Sequence, residues 1–203
     1  LFGPALAELR VAGDRVELVR IVPLHAGGEP LSGLPPPGSE HARLEPVVDL
    51  DGRVIAPDPS GADSEGVVAL ANGGFVVGDE YGPSLLHLDK DGQVIERWVP
   101  EGTGEGYAGA RYRLREVLPA IAARRRLNRG FEALAPASDG GLVLAFQSPL
   151  SNPELKTSKR ADHLRVWRLD AAGRFETTVA STLRAMRSGS TVPSSHCCAS
   201  PNT

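Results

Sequence analysis

The chain has 203 residues, 41% of them hydrophobic and 23% charged, and a formal net charge of −3. That is an ordinary globular composition, without the positive charge a nucleic-acid partner or an anionic membrane surface selects, and no run approaches the roughly 18 apolar residues of a membrane helix. With 23 glycines, 17 prolines and only 5% aromatic residues, short strands joined by many turns are expected.

Residues 1–9 are apolar, but Pro4, Glu8 and the lack of a basic leader argue against a signal peptide. The sequence starts without Met and in mid-pattern, so it reads as a piece of a longer protein. Residues 9–24 predict a hairpin, turning at Ala12-Gly13-Asp14 into a second arm rich in Val and Ile. Residues 25–40, with Gly27-Gly28, Pro30, Gly33 and Pro35-Pro36-Pro37-Gly38, predict loop. Residues 41–60 place an Asp51-Gly52 turn between two short apolar runs.

From Asp63 the pattern becomes regular. Strands are predicted at Val67-Val68-Ala69-Leu70, at 75–80, at 84–88 and at 93–98, separated by Asn72-Gly73-Gly74, Tyr81-Gly82-Pro83 and Lys90-Asp91-Gly92. The pattern returns 67 positions later: Glu65 aligns with Glu132, Asn72-Gly73-Gly74 with Asp139-Gly140-Gly141, and Glu80 with Gln147. The second copy carries 14 additional residues before Leu169-Asp170 matches Leu88-Asp89. A repeated four-strand unit cannot bury both faces alone and stacks on its neighbours. Between the copies, Leu114, Val117, Leu118, Ile121 and Ala122 fall at helical spacing within residues 112–126, and Pro119 would kink or divide that helix.

The fold expected is therefore all-β, a β-propeller of four-stranded antiparallel blades. It is incomplete at about three blades, with one short helical excursion. Residues 1–182 form the propeller portion. Residues 183–203 lose all periodicity and read as an irregular tail or the product of a shifted or premature frame. Cys197 and Cys198 lie in that tail beside His196; among Ser, Pro, Thr and Asn they do not suggest a metal cage.

The chemistry-bearing residues recur at equivalent places. Glu65 and Glu132 precede the first strand of each copy, and Glu80 and Gln147 end the second. Carboxylates converging at strand ends repel each other unless a cation neutralises them, and hard oxygen ligands suit Ca²⁺ or Mg²⁺. Glu65, Glu80 and Glu132 are the candidate metal ligands; Glu65, Asp79 and Glu132 are the candidate catalytic carboxylates. Asp63 and Tyr81 stand close by. The alternative is that each glutamate accepts backbone hydrogen bonds and ties one blade to the next. Arginines 111, 113, 115, 124, 125, 126 and 129 form a basic cluster suited to phosphate or carboxylate. Arg111 and Arg129, with Tyr81 and Gln147, are the candidate substrate-binding residues, and a solvated basic face is the plainer reading of the cluster. His25, His41, His87 and His163 show no metal spacing, and no Gly-x-Ser-x-Gly elbow is present.

Asp63-Ser64-Glu65-Gly66-Val67, Gly78-Asp79-Glu80-Tyr81-Gly82-Pro83, Asn128-Arg129-Gly130-Phe131-Glu132-Ala133-Leu134 and Gln147-Ser148-Pro149-Leu150 resemble the signature segments of the phytase-like domain with esterase-like activity. Pro23-Leu24, then glycines and Pro30-Leu31, is similar too, and the resemblance spans about residues 1–180. It implies a six- or seven-bladed propeller, often secreted or periplasmic in bacteria. It also implies a hydrolase of phosphate or carboxylic esters with a small anionic ester as substrate, calcium-dependent by analogy with propeller phytases. The Asp-rich motifs of a true propeller phytase are missing. The functions expected are a metal-assisted esterase or phosphoesterase, or a non-catalytic propeller that binds a ligand or protein. A third outcome is a truncated chain without function.

Overall fold

The computed structural model describes residues 3–38, 46–161 and 163–182, with no side chains described beyond 176. Strands β1 (Ala5–Ala12) and β2 (Arg15–Pro23) pair antiparallel around Gly13 at φ 63°. One face of this ribbon carries the ion pairs Arg20–Glu8 and Arg10–Glu17; the other pairs Leu9 with Leu18 and Val11 with Val16, all exposed. Its base is anchored through buried Val22 and partly buried Leu6, and Arg20 Nη1 donates to Lys90 O at 3.3 Å. Strands β3 (His25–Ala26) and β4 (Glu29–Pro30) form a two-residue hairpin inside the stretch predicted as loop.

The four-strand unit forms as predicted, twice. Strands β5 (Ser64–Ala69), β6 (Phe75–Asp79), β7 (Ser84–Leu88) and β8 (Val94–Pro100) pair antiparallel in sequence order. The first sheet then gains β9 (Arg113–Leu118), parallel to β8. Strands β10 (Phe131–Pro136), β11 (Leu142–Phe146), β12 (His163–Leu169) and β13 (Phe175–Thr182) make the second antiparallel sheet. The fold is all-β, and among the described residues no sheet closes on itself.

The turns repeat as closely as the strands. Asp89 Oδ1 accepts from the N–H groups of Asp91 and Gln93, Asp170 Oδ1 from those of Ala172 and Arg174, and Asp49 Oδ1 from those of Asp51 and Arg53. Such Asx turns need a left-handed residue before the strand resumes, supplied by Gly92, Gly173 and Gly52 at φ 89°, 79° and 79°. The Asp49 turn closes a Val48–Val54 bridge, so the hairpin predicted around Asp51-Gly52 repeats this turn ahead of the two sheets.

The helix expected over residues 112–126 does not form. Residues 113–118 are β9, and after Pro119 a short 3-10 helix covers Ala120–Arg124. The edge of β8 offers a row of backbone partners, and pairing there outweighs local helical spacing. The apolar set is buried all the same: Leu118 and Ala122 lie in the core, with Val117 and Ile121 packed against it. The α-helical turn (α1, Leu155–Ser158) lies instead in the 14-residue insertion, and a second 3-10 turn covers Gly104–Tyr107.

The first sheet has a core on each face, because period-2 alternation sends neighbours to opposite sides. Val76, Leu85 and Trp98 face Phe131, Phe146 and Trp167 of the second sheet. Val77, Leu86, Leu88 and Val94 face Leu24, Ala26 and Leu31. Phe131 and Phe146 lie 4.6 Å apart, and Trp167 meets Phe146 edge-on at 5.1 Å. β10 lies against β5 and β6. Gly78 permits this approach, since a Cβ there would fall 2.6 Å from Leu134 Cδ1. The starts of β5 and β10, bearing Glu65 and Glu132, are thereby brought together.

Candidate functional site

Four chain segments meet at this seam: the start of β5, the end of β6, the start of β10 and the end of β11. Asp63, Glu65 and Glu80 each offer a carboxylate oxygen within 4.8 Å of the others. The backbone holds the set, with Glu80 N–H donating to Asp63 O at 3.0 Å and Asp63 N–H to Asp79 Oδ1 at 2.8 Å. Gly130 packs directly on the Glu80 backbone, leaving no room for a Cβ. Glu80 is 6% exposed and hydrogen-bonded to Glu132, the first-strand glutamate of the second sheet.

Crowding and burial act in the same direction on these acids. Burial first, then the hydrogen bond and charge of Glu132, push the Glu80 carboxyl up to about 7. Burial, then Asp63 and Asp79, raise Glu65. Burial also raises Glu132, against the hydrogen bond from Glu80. A proton shared between Glu80 and Glu132 relieves their repulsion. Among the described residues, Glu132 Oε1 is buried without a hydrogen-bond partner. Of the three glutamates expected to converge, Glu65 and Glu80 join Asp63 in one group, and Glu132 stands at its edge.

The other expected residues separate into two kinds. Arg129 Nη1 donates to Gln147 Oε1 at 2.9 Å, so this pair stands beside Glu132, whose acidity Arg129 strengthens. Tyr81, half-buried, accepts at its carbonyl from Arg125 Nε at 2.7 Å. Arg111 points to the β3–β4 hairpin: its Nε donates to Ala26 O at 3.2 Å and its N–H to Ser60 Oγ at 3.0 Å. It fastens that hairpin to the first sheet.

Asp79, expected among the catalytic carboxylates, is fully buried in an ion pair with Arg97, also fully buried. Its oxygens accept from Asp63 N–H, Gly82 N–H, Ser84 Oγ and Arg97. With no surface exposed and three donors on Oδ2, Asp79 is held by the fold and grips the Asp63 N–H through Oδ1. Arg97 also donates to Gly61 O and Tyr112 Oη, each at 2.8 Å, and lies 4.7 Å from the Tyr107 ring centre. Sequence reasoning missed this hub. Arg97 stands next to Trp98 in an ordinary strand pattern, and nothing in the period marks it as buried.

The residues brought together at the seam come from the segments in which the sequence resembles the phytase-like domain. The sequence pattern of the phytase-like family, described as esterase-like activity of phytase, matches residues 8–194. The chain belongs to this family. No curated protein matches it. A crystal structure of a protein of unknown function from Bacteroides caccae is similar at 16% identity and a TM-score of 0.30, over 80% of this chain and 50% of that one. The chain spans about half the length of that protein.

The phytase-like seam fits a hard cation. Its donors are all carboxylate oxygens, the set that Ca²⁺ and Mg²⁺ take. Their mutual repulsion raises their affinity for protons, which a divalent ion would relieve more fully. The orphaned Glu132 Oε1 is a further oxygen without a partner. The family is hydrolase-type by its description, and no described helix is long and apolar enough to cross a membrane.

Proposed function

We propose that this chain carries part of a cation-assisted hydrolase of small anionic phosphate or carboxylic esters, built as successive blades of a β-propeller. The observation that carries it is the convergence of Asp63, Glu65 and Glu80 within 4.8 Å, with Glu132 hydrogen-bonded to Glu80. Asp63, Glu65 and Glu80 would hold the ion, Ca²⁺ by preference given three or more carboxylate ligands. Bound there, it would polarise an ester oxygen and make a nearby water more acidic. Glu132, raised by burial, holds or passes a proton beside that position. A carboxyl beside a bound water suits general acid–base work. Arg129, with one N–H committed to Gln147, offers its remaining donors to the anionic group of the substrate. Secretion or a periplasmic location belongs to the same reading.

The test is hydrolysis of p-nitrophenyl phosphate and p-nitrophenyl acetate in millimolar Ca²⁺ or in EDTA. Turnover in Ca²⁺, abolished by EDTA and lowered about 100-fold or more by Glu132→Gln, is expected. Turnover equal in EDTA, or unchanged in the variant, would sink the reading.

A further inference from the structure

The turn 126–129, closed by a bridge between Arg126 and Arg129 with Asn128 at φ 53°, carries arginines toward two different places. Arg129 reaches Gln147. Arg124, Arg125 and Arg126 line a cavity of about 680 Å³. That volume lies within the roughly 300–1,000 Å³ range of small-molecule sites.

The arginine wall is fixed by its backbone and by one of its own side chains. Arg125 N–H donates to Ala122 O at 3.0 Å, and Ser151 N–H donates to Arg124 O at 2.6 Å. Arg125 is 7% exposed, and its Nε and Nη1 donate to the carbonyls of Tyr81 and Arg126. Arg125 therefore serves the wall. Arg124 and Arg126 have no side-chain hydrogen bond or ion pair among the described residues. Two guanidinium groups at the wall of a concave site, with their forks unused, match the two-oxygen edge of a carboxylate or phosphate.

The rest of the lining narrows the ligand. Leu127 and Leu155 supply apolar surface, and Glu101 and Glu154 bring two negative charges into the same cavity. Those carboxylates oppose a ligand with many anionic groups while leaving room for one beside the arginines. We infer that this cavity binds a small amphipathic anion, one carboxylate or phosphate group on an apolar or aromatic body. The site stands independently of the cation reading, since none of Asp63, Glu65, Glu80 and Glu132 lines it.

The test is calorimetric titration of the full chain in EDTA with phenyl phosphate, benzoate, inorganic phosphate and tripolyphosphate. One-site binding of phenyl phosphate or benzoate, at least tenfold tighter than inorganic phosphate or tripolyphosphate, is expected; whichever of the first two binds more tightly names the oxyanion. The double variant Arg124→Gln/Arg126→Gln should weaken it tenfold or more with the thermal midpoint unchanged, and Glu80→Gln should leave it intact. Glu154→Gln, whose side chain makes no cap hydrogen bond, should tighten it at least twofold. Absence of saturable binding overturns the inference. So does equal binding by the arginine double variant, or a loss in Glu80→Gln that the arginine changes do not reproduce.

Discussion

Replacing Arg97 with Met is expected to cost about 3–5 kcal/mol, the range for breaking a buried ion pair by removing one partner. The arginine and Asp79 are both inaccessible to solvent. Without the guanidinium, the Asp79 charge stays buried, and Gly61 O and Tyr112 Oη lose their donor. Both tyrosines stay neutral, so Asp79 is the charge that Arg97 balances. Burial holds the Tyr107 hydroxyl up at about 12 and also raises Tyr112, despite the nearby cation. Urea denaturation should show the loss. The double variant Arg97→Met/Asp79→Asn should be more stable than Arg97→Met alone, because it removes the stranded charge. A cost below about 1 kcal/mol for Arg97→Met would contradict the account. The same hub sets the candidate site, since Asp79 holds the Asp63 N–H.

The second large effect is a pair of opposed slopes in the pH profile. His87 lies 3.9 Å from Trp98, ring centre to ring centre, with Nε2 buried and, among the described residues, unpartnered. Burial, opposed in part by Glu96, holds its pKa down at about 4. Between about 6.5 and 4 the unfolded chain binds a proton at His87 that the folded chain refuses, so stability falls as pH falls. Glu80 works in reverse. Its folded pKa of about 7 lies above the unfolded 4.5, so its contribution is complete below 4.5 and is lost as pH rises through 7. Each effect is on the order of 3 kcal/mol, and their windows overlap. In EDTA the two slopes oppose each other from pH 4.5 to 6.5 in the stability of the unaltered chain. His87→Leu should make it fall as pH rises, and Glu80→Gln should make it rise. Urea denaturation at pH 4.5, 5.5 and 6.5 measures both slopes, and parallel profiles for the two variants would contradict the assignment.

These two residues mark where sequence reading stops. The repeated strands were legible because tight Gly turns and two-residue alternation are local signals. The carboxylates at the seam were legible because they recur at one place in each copy. Asp63 stood two residues from the repeated Glu65, yet its membership depends on Asp79 and Glu80 gripping its backbone from the neighbouring strand. Strand β9 was read as helix because its apolar spacing satisfies both periods, and the open edge of β8 decides between them. Arg97 and His87 are polar residues in ordinary strands. Their burial depends on which face a neighbouring segment covers, a tertiary fact with no local mark. Arg111 was grouped with the other arginines by charge alone, and its position against Ala26 and Pro30 comes from a hairpin far away in sequence. The cysteines and the tail from 183 onward lie outside the described residues.

The central claim is that Asp63, Glu65 and Glu80 together bind a divalent cation, and thermal unfolding in rising Ca²⁺ tests it most directly. A ligand that binds only the folded chain stabilises it by about 2.7 kcal/mol at a hundredfold excess over its dissociation constant. The midpoint should therefore climb steadily with Ca²⁺ in the unaltered chain and stay fixed in Glu65→Gln/Glu80→Gln. A cooperative transition whose midpoint ignores Ca²⁺, or climbs equally in the double variant, would contradict it.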